Sequence, residues 1–445
     1  MTWKKHLRNA AIIIVVLLFG LYWYLFHMPD KARVALEDMQ GQAPKLIAPR
    51  QEKFPTINIA KVVGWRGDAK PVAAPGLKVT AFADKLDHPR WLLELPNGDV
   101  LVAESSAPAR EVKGVEDWIG RKLIMKAGGA GGSPDKITLL RDADGDGVAE
   151  FRSELLSGLH SPFGMALVGN TLYVGNTDAL MAYPFTPGET KITAAGTKVM
   201  DLPHNFPNNH WARNVVASPD GQKLYITIGS DSNIAEGGMD KEKDRALIRE
   251  YDLKTKQWLV YAYGLRNANG LAFNPKSGTL WTVVNERDML GSDGPPDYLT
   301  TVDFGTFYGW PFYYWGGIED QRVPQLRQDL KQYTKRPDYA LGPHVAALGL
   351  TFNTGTALGA NYANGAFVGM HGSWNRYPAS GYKVVYVPFN DRGFPTGAKP
   401  ADVLTGFLDA KGQAQGRPVG VIVDKKGALL VADDVGNRVW RVTAG

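Results

Sequence analysis

One phrase recurs along this chain and limits its fold more than any other feature: a polar turn containing glycine, followed at once by a short β-favouring run. It reads PNGDVLVAES at 96–105, GNTLYVGNT at 169–177, PDGQKLYITIGSDSN at 219–233, PKSGTLWTVVNERD at 275–288, NGAFVGMHGSW at 364–374 and KKGALLVADDVGNR at 425–438. Its glycines, Gly98, Gly169, Gly221, Gly278, Gly365 and Gly427, stand 52 to 87 residues apart, room for a four-stranded sheet plus variable loops. Each such sheet hides a face only against its neighbours, so a ring of six buries them all without a hydrophobic end. The expected fold is all-β, a six-bladed β-propeller. A sandwich of short strands is the competing architecture, and no 3.6-residue stripe accompanies the repeat to suggest a helical solenoid.

The strand leading into each turn carries the second signal. Four of the six segments open with a basic residue near one offset: Arg90, His210, Arg266 and Arg417. Innermost strands line a propeller's channel, so these four are expected to converge on one mouth, and a basic ring there suits an anionic ligand. His210, in NNHWARN, is the candidate proton acceptor, because an imidazole near its ordinary pKa of about 6.5 takes a proton from a hydroxyl readily. The alternative is a histidine bonded for structure at a strand end. Arg266 and Asn267, in YGLRNANGLAF, combine a fork-shaped cation with an amide, suited to a carboxylate or a developing oxyanion. Arg417, in QGRPVG, and Asn375 with Arg376, in HGSWNRY, would complete the cage, although any single arginine is more often a surface ion-pair partner.

Asp142, Asp144 and Asp146, in RDADGDGVAE, occupy positions 1, 3 and 5 of a Ca2+ loop, with Gly147 at 6, the Val148 carbonyl at 7 and Glu150 at 9. Position 12 is Ser153 in place of the bidentate glutamate. A weak structural calcium, remote from chemistry, is expected there, against the alternative of a solvated acidic turn. The aromatic block YGWPFYYW, 308–315, is expected to pack a blade edge, with one or two rings free to floor a sugar or other ring-stacking subsite.

Composition narrows the partners. With 50 Lys and Arg against 45 Asp and Glu, the net charge of +5 is too small and too dispersed for a nucleic-acid surface. The absence of cysteine removes thiolate catalysis and cysteine-held metals. At the N-terminus, Lys4, Lys5 and Arg8 precede an apolar run of 17 residues, Ala10 to Phe26, ending in aromatics. That length just crosses a bilayer core, and the cations place the N-terminus inside the cell. Residues 1–29 are therefore read as a membrane anchor, 30–76 as a polar linker, and 77–445 as a catalytic propeller on the outer face of the membrane, in the periplasm. A cleaved signal peptide is the alternative, but His27, Met28 and Pro29 supply no small-residue cleavage site. An anchor would keep the propeller within reach of membrane-borne partners, by proximity alone.

The segments HWARNVVASPDGQKLYITIGSDSN, LIREYDL, YAYGLRNANGLAFNP, LWTVVNERD, TFYGWPFYYWGG, HGSWNR, GRPVGVIVD and ADDVGNRVWRV together resemble the sorbosone dehydrogenase family of quinoproteins, relatives of soluble PQQ-dependent glucose and aldose dehydrogenases. The resemblance spans roughly His88 to the C-terminus. It implies a six-bladed propeller holding pyrroloquinoline quinone (PQQ) beside Ca2+ and oxidising a sugar hydroxyl or aldehyde hydrate by hydride transfer. By that resemblance His210 matches the general base, Arg266 and Asn267 the contacts to the quinone oxygens, and Arg417 a contact to a PQQ carboxylate. Asn375 or Arg376 falls where another cofactor contact lies. The glucose enzymes hold calcium through carbonyls of a Gly-Pro turn after a glutamate. The comparable stretch here, Asn285, Glu286, Arg287, Asp288, has no Gly-Pro, and Glu286 or Asp288 is the expected participant. Two other classes stay open: a calcium-dependent lactonase, which needs acidic and amide residues at inner positions that here hold Arg and His, and a non-catalytic extracellular binding propeller.

Overall fold

The structure, a computed structural model, describes the chain except residues 1, 28–29, 53–54, 110–113, 115–121, 124, 130–131, 206 and 324–325. Six antiparallel sheets stand around one axis. Blade 1 is built from Pro89–Glu94, Val100–Glu104, Lys136–Arg141 and Phe151–Leu156; blade 2 from Met165–Val168, Thr171–Gly175, Ala179–Pro184 and Thr197–Asp201. Blade 3 comprises Val215–Ala217, Lys223–Ile228, Leu247–Asp252 and Trp258–Tyr263; blade 4, Ala268–Phe273, Leu280–Val284, Pro296–Thr301 and Tyr339–Pro343. Blade 5 runs through Ala347–Asn353, Gly365–Met370, Lys383–Pro388 and Ala401–Thr405, and blade 6 through Pro418–Val423, Leu429–Asp433 and Arg438–Ala444. The innermost strands touch in the cyclic order 1 to 6 and back to 1.

All six recurring phrases fall at the turn from an innermost strand to the second strand of its blade. Gly98 adopts φ +89°, a left-handed conformation that only glycine enters without strain. Gly365 serves otherwise: it already lies in the strand, where a Cβ would come within 2.3 Å of the Val387 carbonyl oxygen. The apolar positions of the second and third strands fill the seams between blades. Leu101, Leu139, Leu172 and Val174, with Trp91 and Phe163, form the seam of blades 1 and 2. Each fully buried aliphatic side chain there contributes about 1.5–3 kcal/mol relative to exposure.

Blade 6 closes the ring. Its fourth strand is Leu77–Ala83, paired antiparallel along Arg438–Ala444, so the first and last strands of the propeller share one sheet. The first propeller strand thus starts at Leu77, and residues 30–76, expected as a linker, pack against the blades. Asp30 is buried and accepts from Ser292 N at 2.7 Å, Gly41 bridges to Ala340, Trp65 donates to Asp433 at 2.6 Å, and Val72–Ala73 adds a fifth strand to blade 5. The segment is a strap over blades 4, 5 and 6. Sequence reading misses it because the bonds that pin it to the blades go to partners hundreds of residues away, leaving no local periodicity.

Thr2–His27 is a single helix, solvent-exposed wherever its side chains are described, and Trp3–Tyr24 is long and apolar enough to cross a membrane. Met28 and Pro29, the supposed non-cleavable junction, lie outside the described residues. The aromatic block is core: Tyr308, Trp310, Phe312, Tyr313, Tyr314 and Trp315 are all buried.

Candidate active site

Strand direction sorts the loops into two faces. Segments entering the innermost strands, and loops joining second to third strands, lie on one face; the recurring glycine turns lie on the other. On the first face a cleft of about 320 Å3 opens at the axis. Arg90, His210, Arg266, Asn267 and Asn375, gathered from four blades, line it together with Asn269, Glu286, Asp288, Asp297, His344 and His371.

His210 is placed by a local device in blade 3. Gly229 leaves room for it: a Cβ there would meet His210 Cβ at 2.5 Å and Asn267 Oδ1 at 2.7 Å. The His210 Nδ1 lies 2.9 Å from both the carbonyl oxygen and the hydroxyl oxygen of Ser230, and that hydroxyl donates its hydrogen to Ser232 O at 2.6 Å. Both neighbours of Nδ1 are therefore acceptors, so Nδ1 carries the proton and Nε2 keeps a lone pair. Burial, with Arg266 nearby, pushes the imidazole down to about 3, so it is neutral throughout the physiological range.

Arg266 is more thoroughly engaged than a free cation. Nε donates to Asn233 O, Nη1 to Glu286 O at 2.6 Å and Asn285 O at 3.3 Å, and Nη2 to Asn233 Oδ1 and Asp288 Oδ2 at 2.9 Å. These five bonds use all five N–H groups of a guanidinium. Asp288 in turn accepts from Asn375 Nδ2 at 2.8 Å. Burial alone would raise the Asp288 carboxyl, but Arg266 and His344 outweigh it and hold it well below the usual range. Burial likewise opposes charge on His344, yet Asp288 at 3.7 Å lifts that imidazole above its ordinary value. For Glu286 and Asp297 burial wins over the cations nearby, Arg266 and Arg287 for the first and His344 for the second: it raises Glu286 to about 7 and Asp297 to about 6.

Across the cleft stands a second cluster. The buried Asp434 receives Arg90 Nη1 at 2.5 Å and His371 Nε2 at 2.8 Å, with His88 Nε2 at 3.5 Å. Burial would raise Asp434, but His371, His88 and Arg90 drive it far down. Burial and Arg417 push His371 to about 3. Arg90 also lies over the rings of Trp211 and Phe163, 5.4 and 5.8 Å from their centres.

Two of the expected cage residues point elsewhere. Arg417 does not line the cleft; it donates to the carbonyls of His371 and Gly372 and lies over Tyr382, bracing the His371 loop from behind. Arg376 donates to Ser292 O and Pro378 O, tying the strap side of blade 5 to blade 4. Conversely, the inner positions are not only basic: the carboxylates of Glu286, Asp288 and Asp297 come in from the loop and third strand of blade 4. Asp297 sits at the start of a third strand, and His371 and Asp434 stand near the ends of two recurring phrases, on second-to-third-strand loops; His344 lies in the segment entering the innermost strand of blade 5, near the offset of Arg266, a position that could have flagged it.

The acidic loop Asp142, Asp144, Asp146 and Glu150 presents ligand atoms all within 4.8 Å of one another. It joins the third and fourth strands of blade 1, on the face opposite the cleft, and Lys426 Nζ already reaches Asp142 at 3.1 Å. The Val148 side chain is exposed there.

Six closed blades around an axial cleft that brings together neutral imidazoles, amides, carboxylates and arginines define a propeller with a polar ligand site at its mouth. The chain belongs to the TrAA12-like family, whose model matches residues 136–297 and 326–445, more than half of its length. It is 25% identical over 331 residues to the pyrroloquinoline quinone-dependent pyranose dehydrogenase of Coprinopsis cinerea, covering 61% of this chain and 44% of that enzyme, less than half of its length. The holo form of that enzyme's PQQ domain superposes with a TM-score of 0.68 at 20% identity, over 87% of this chain and all of the domain. The aldose sugar dehydrogenase YliI of Escherichia coli is 26% identical over 303 residues, 63% of this chain and 74% of that protein. A calcium structure of the Trichoderma reesei family AA12 enzyme matches with a TM-score of 0.68 at 20% identity, over 84% of this chain and 97% of that one.

Proposed function

We propose that this protein is a PQQ-dependent sugar dehydrogenase that oxidises a sugar CH–OH group at the cleft, with His210 as general base. The observation that carries the reading is His210 itself: an imidazole fixed as the Nδ1–H tautomer, neutral, with its Nε2 lone pair available in a cleft lined by amides and cations. The cleft fits the cofactor. Arg90 Nε, Asn269 Oδ1 and Asn375 Oδ1 are buried polar atoms without a protein partner, the donors and acceptors a polar heterocycle would satisfy. Arg90 and the His371 side of the mouth would take the anionic carboxylates, Asn267 and Asn375 the ring substituents, and Glu286, Asp288 and Asp297 a Ca2+ ion. When bound, the quinone supplies the two-electron acceptor, and the metal polarises it.

The protein's own part is positional and acid–base. His210 accepts the hydroxyl proton at Nε2, and the neighbouring Asp288 carboxylate favours the imidazolium that forms. With its N–H groups all committed, Arg266 acts by holding Asp288, Asn233 and the Glu286 backbone in register and by its field, rather than through a free donor. Arg417 acts one layer back, by holding the His371 loop. The helix Thr2–His27 serves as an uncleaved anchor carrying the propeller in the periplasm, with a membrane quinone or cytochrome as acceptor. The acidic loop 142–150 takes a structural cation away from the chemistry.

The test is reconstitution of the full chain with PQQ and Ca2+, followed by quinone absorbance and dye reduction with a panel of aldoses, sorbosone included. Failure to take up PQQ ends the reading. The three carboxylates favour one competitor, a Ca2+-dependent lactone hydrolase, which would open lactones with calcium alone and reduce no dye.

A further inference from the structure

We propose that the rim of the cleft beside blades 4 and 5 docks on the bilayer into which this chain's own helix runs, with Trp374 and Tyr377 in the headgroup layer. The proposal rests on the reading of Thr2–His27 as a retained anchor, and goes beyond it by fixing which face of the propeller meets the membrane.

The reach of the chain decides the matter. The helix ends at His27 and Asp30 is already buried in the domain, so only two residues, three Cα–Cα steps, separate them. Fully extended, they span at most about 11 Å. A linker of 47 flexible residues would allow any orientation; a strap pinned at its first residue does not. Asp30 accepts from Ser292 N at 2.7 Å, and its backbone oxygen accepts from the Ser292 hydroxyl at 2.9 Å. The adjoining Gly291 carbonyl lies 2.9 Å from Nε2 of His344, which lines the cleft. The helix exit is thus two hydrogen-bond layers from the active site, on the cleft face.

The surface at that exit has the composition of a membrane interface. Ala32 N donates to Tyr377 O at 2.8 Å, Lys31 Nζ lies 5.3 Å over the Tyr377 ring, and Asn58 N, also on the strap, donates to Trp374 O at 2.8 Å. Trp374 and Tyr377 are 37% and 43% exposed, unusual for such rings beside a polar cleft. Ile318, 38% exposed, shares a neighbouring apolar cleft with Arg33 of the strap. Tryptophan and tyrosine prefer the headgroup region, where the ring is sheltered and its polar edge stays wet, and lysine reaches the same layer. Exposed Phe304, by contrast, lies against Tyr261 of blade 3. With the blade 5 rim resting on lipid, the blade 1 and 2 side of the mouth is left open for a water-soluble substrate.

The chain has no cysteine, so single labels can be placed without background. The experiment uses the full chain in vesicles doped with a headgroup-region quencher lipid, carrying a fluorophore at Tyr377→Cys, at Ile318→Cys, or at Asn170→Cys in an exposed turn on the opposite face. Melting curves check each variant. Quenching several-fold stronger at 377 and 318 than at 170 is the expected result. Equal, weak quenching at all three in protein that resists a carbonate wash overturns the docking while leaving the anchor intact. Protein that washes off overturns both. No turnover is measured, so failure of the dehydrogenase reading shows separately, in the PQQ reconstitution.

Discussion

The two sides of the cleft each hold a histidine pushed down to about 3, yet they are built on opposite principles. His371 spends its Nε2 on a carboxylate, Asp434, that Arg90 and His88 also approach; with Arg417 behind, the cluster is cation-rich and its acceptor is saturated. His210 is held through Nδ1 by a carbonyl and a hydroxyl, keeps Nε2 unspent, and faces a blade 4 wall of carboxylates. Equal basicity therefore does not mean equal function. On the proposed reading, what separates a proton acceptor from a structural base is which nitrogen the fold has already used.

The largest expected effect breaks that comparison directly. His210→Ala should lower kcat by about 10²–10⁴, the usual worth of a positioned general base, with PQQ uptake retained, whereas His371→Ala should weaken cofactor binding with a much smaller loss in kcat. Steady-state dye reduction and a PQQ absorbance titration read the two quantities; equal kcat losses would make the two histidines equivalent.

Next in size is stability. Asp434→Ala leaves Arg90 buried without its partner and should cost about 3–5 kcal/mol in denaturant unfolding, as for other broken buried pairs. Asp288→Ala should cost less, because Arg266 keeps four other acceptors.

How far the two walls were readable before the structure follows the same division. The repeat is local, a glycine turn plus alternation, and so all six innermost turns and the mouth residues Arg90, His210 and Arg266 follow from it. Arg417 shares their offset, but its side chain is drawn to the carbonyls of the neighbouring loop, a choice made by tertiary contacts alone. Asp434 and His371 stand in the motifs ADDVGNR and HGSW, which carry no local mark of their pairing. The acidic wall was glimpsed only at Glu286 and Asp288; Asp297 adds to it from inside a strand, where a carboxylate carries no repeat signature.

A third prediction concerns pH. Glu286 sits at about 7 when folded against about 4.5 when unfolded, so between those values the folded state holds the extra proton and stability falls as pH rises. Glu286→Gln should flatten the melting temperature over pH 4.5–7. If the acidic wall takes Ca2+, added metal should restore the wild type at pH 8, by about 2.7 kcal/mol at a hundred times Kd, and leave the glutamine variant less affected. Calorimetry with and without Ca2+ checks both.

The smallest effect sharpens the tautomer argument. Ser230→Ala removes the hydroxyl beside Nδ1 but leaves the Ser230 carbonyl, which alone keeps the Nδ1–H form. Turnover should change less than about tenfold, the worth of one neutral hydrogen bond. A loss as large as that of His210→Ala would mean the hydroxyl, not the carbonyl, sets the proton.

The seam in blade 6 has a consequence for biosynthesis. Its fourth strand, Leu77–Ala83, leaves the ribosome before the other strands of the propeller and waits for Arg438–Ala444, made after all of them. For most of translation the nascent chain carries blades with uncovered apolar sides and an unpaired strand edge, the species most open to aggregation. Chaperone dependence in this protein should therefore track delays just before Arg438–Ala444 emerges more than slow stretches elsewhere.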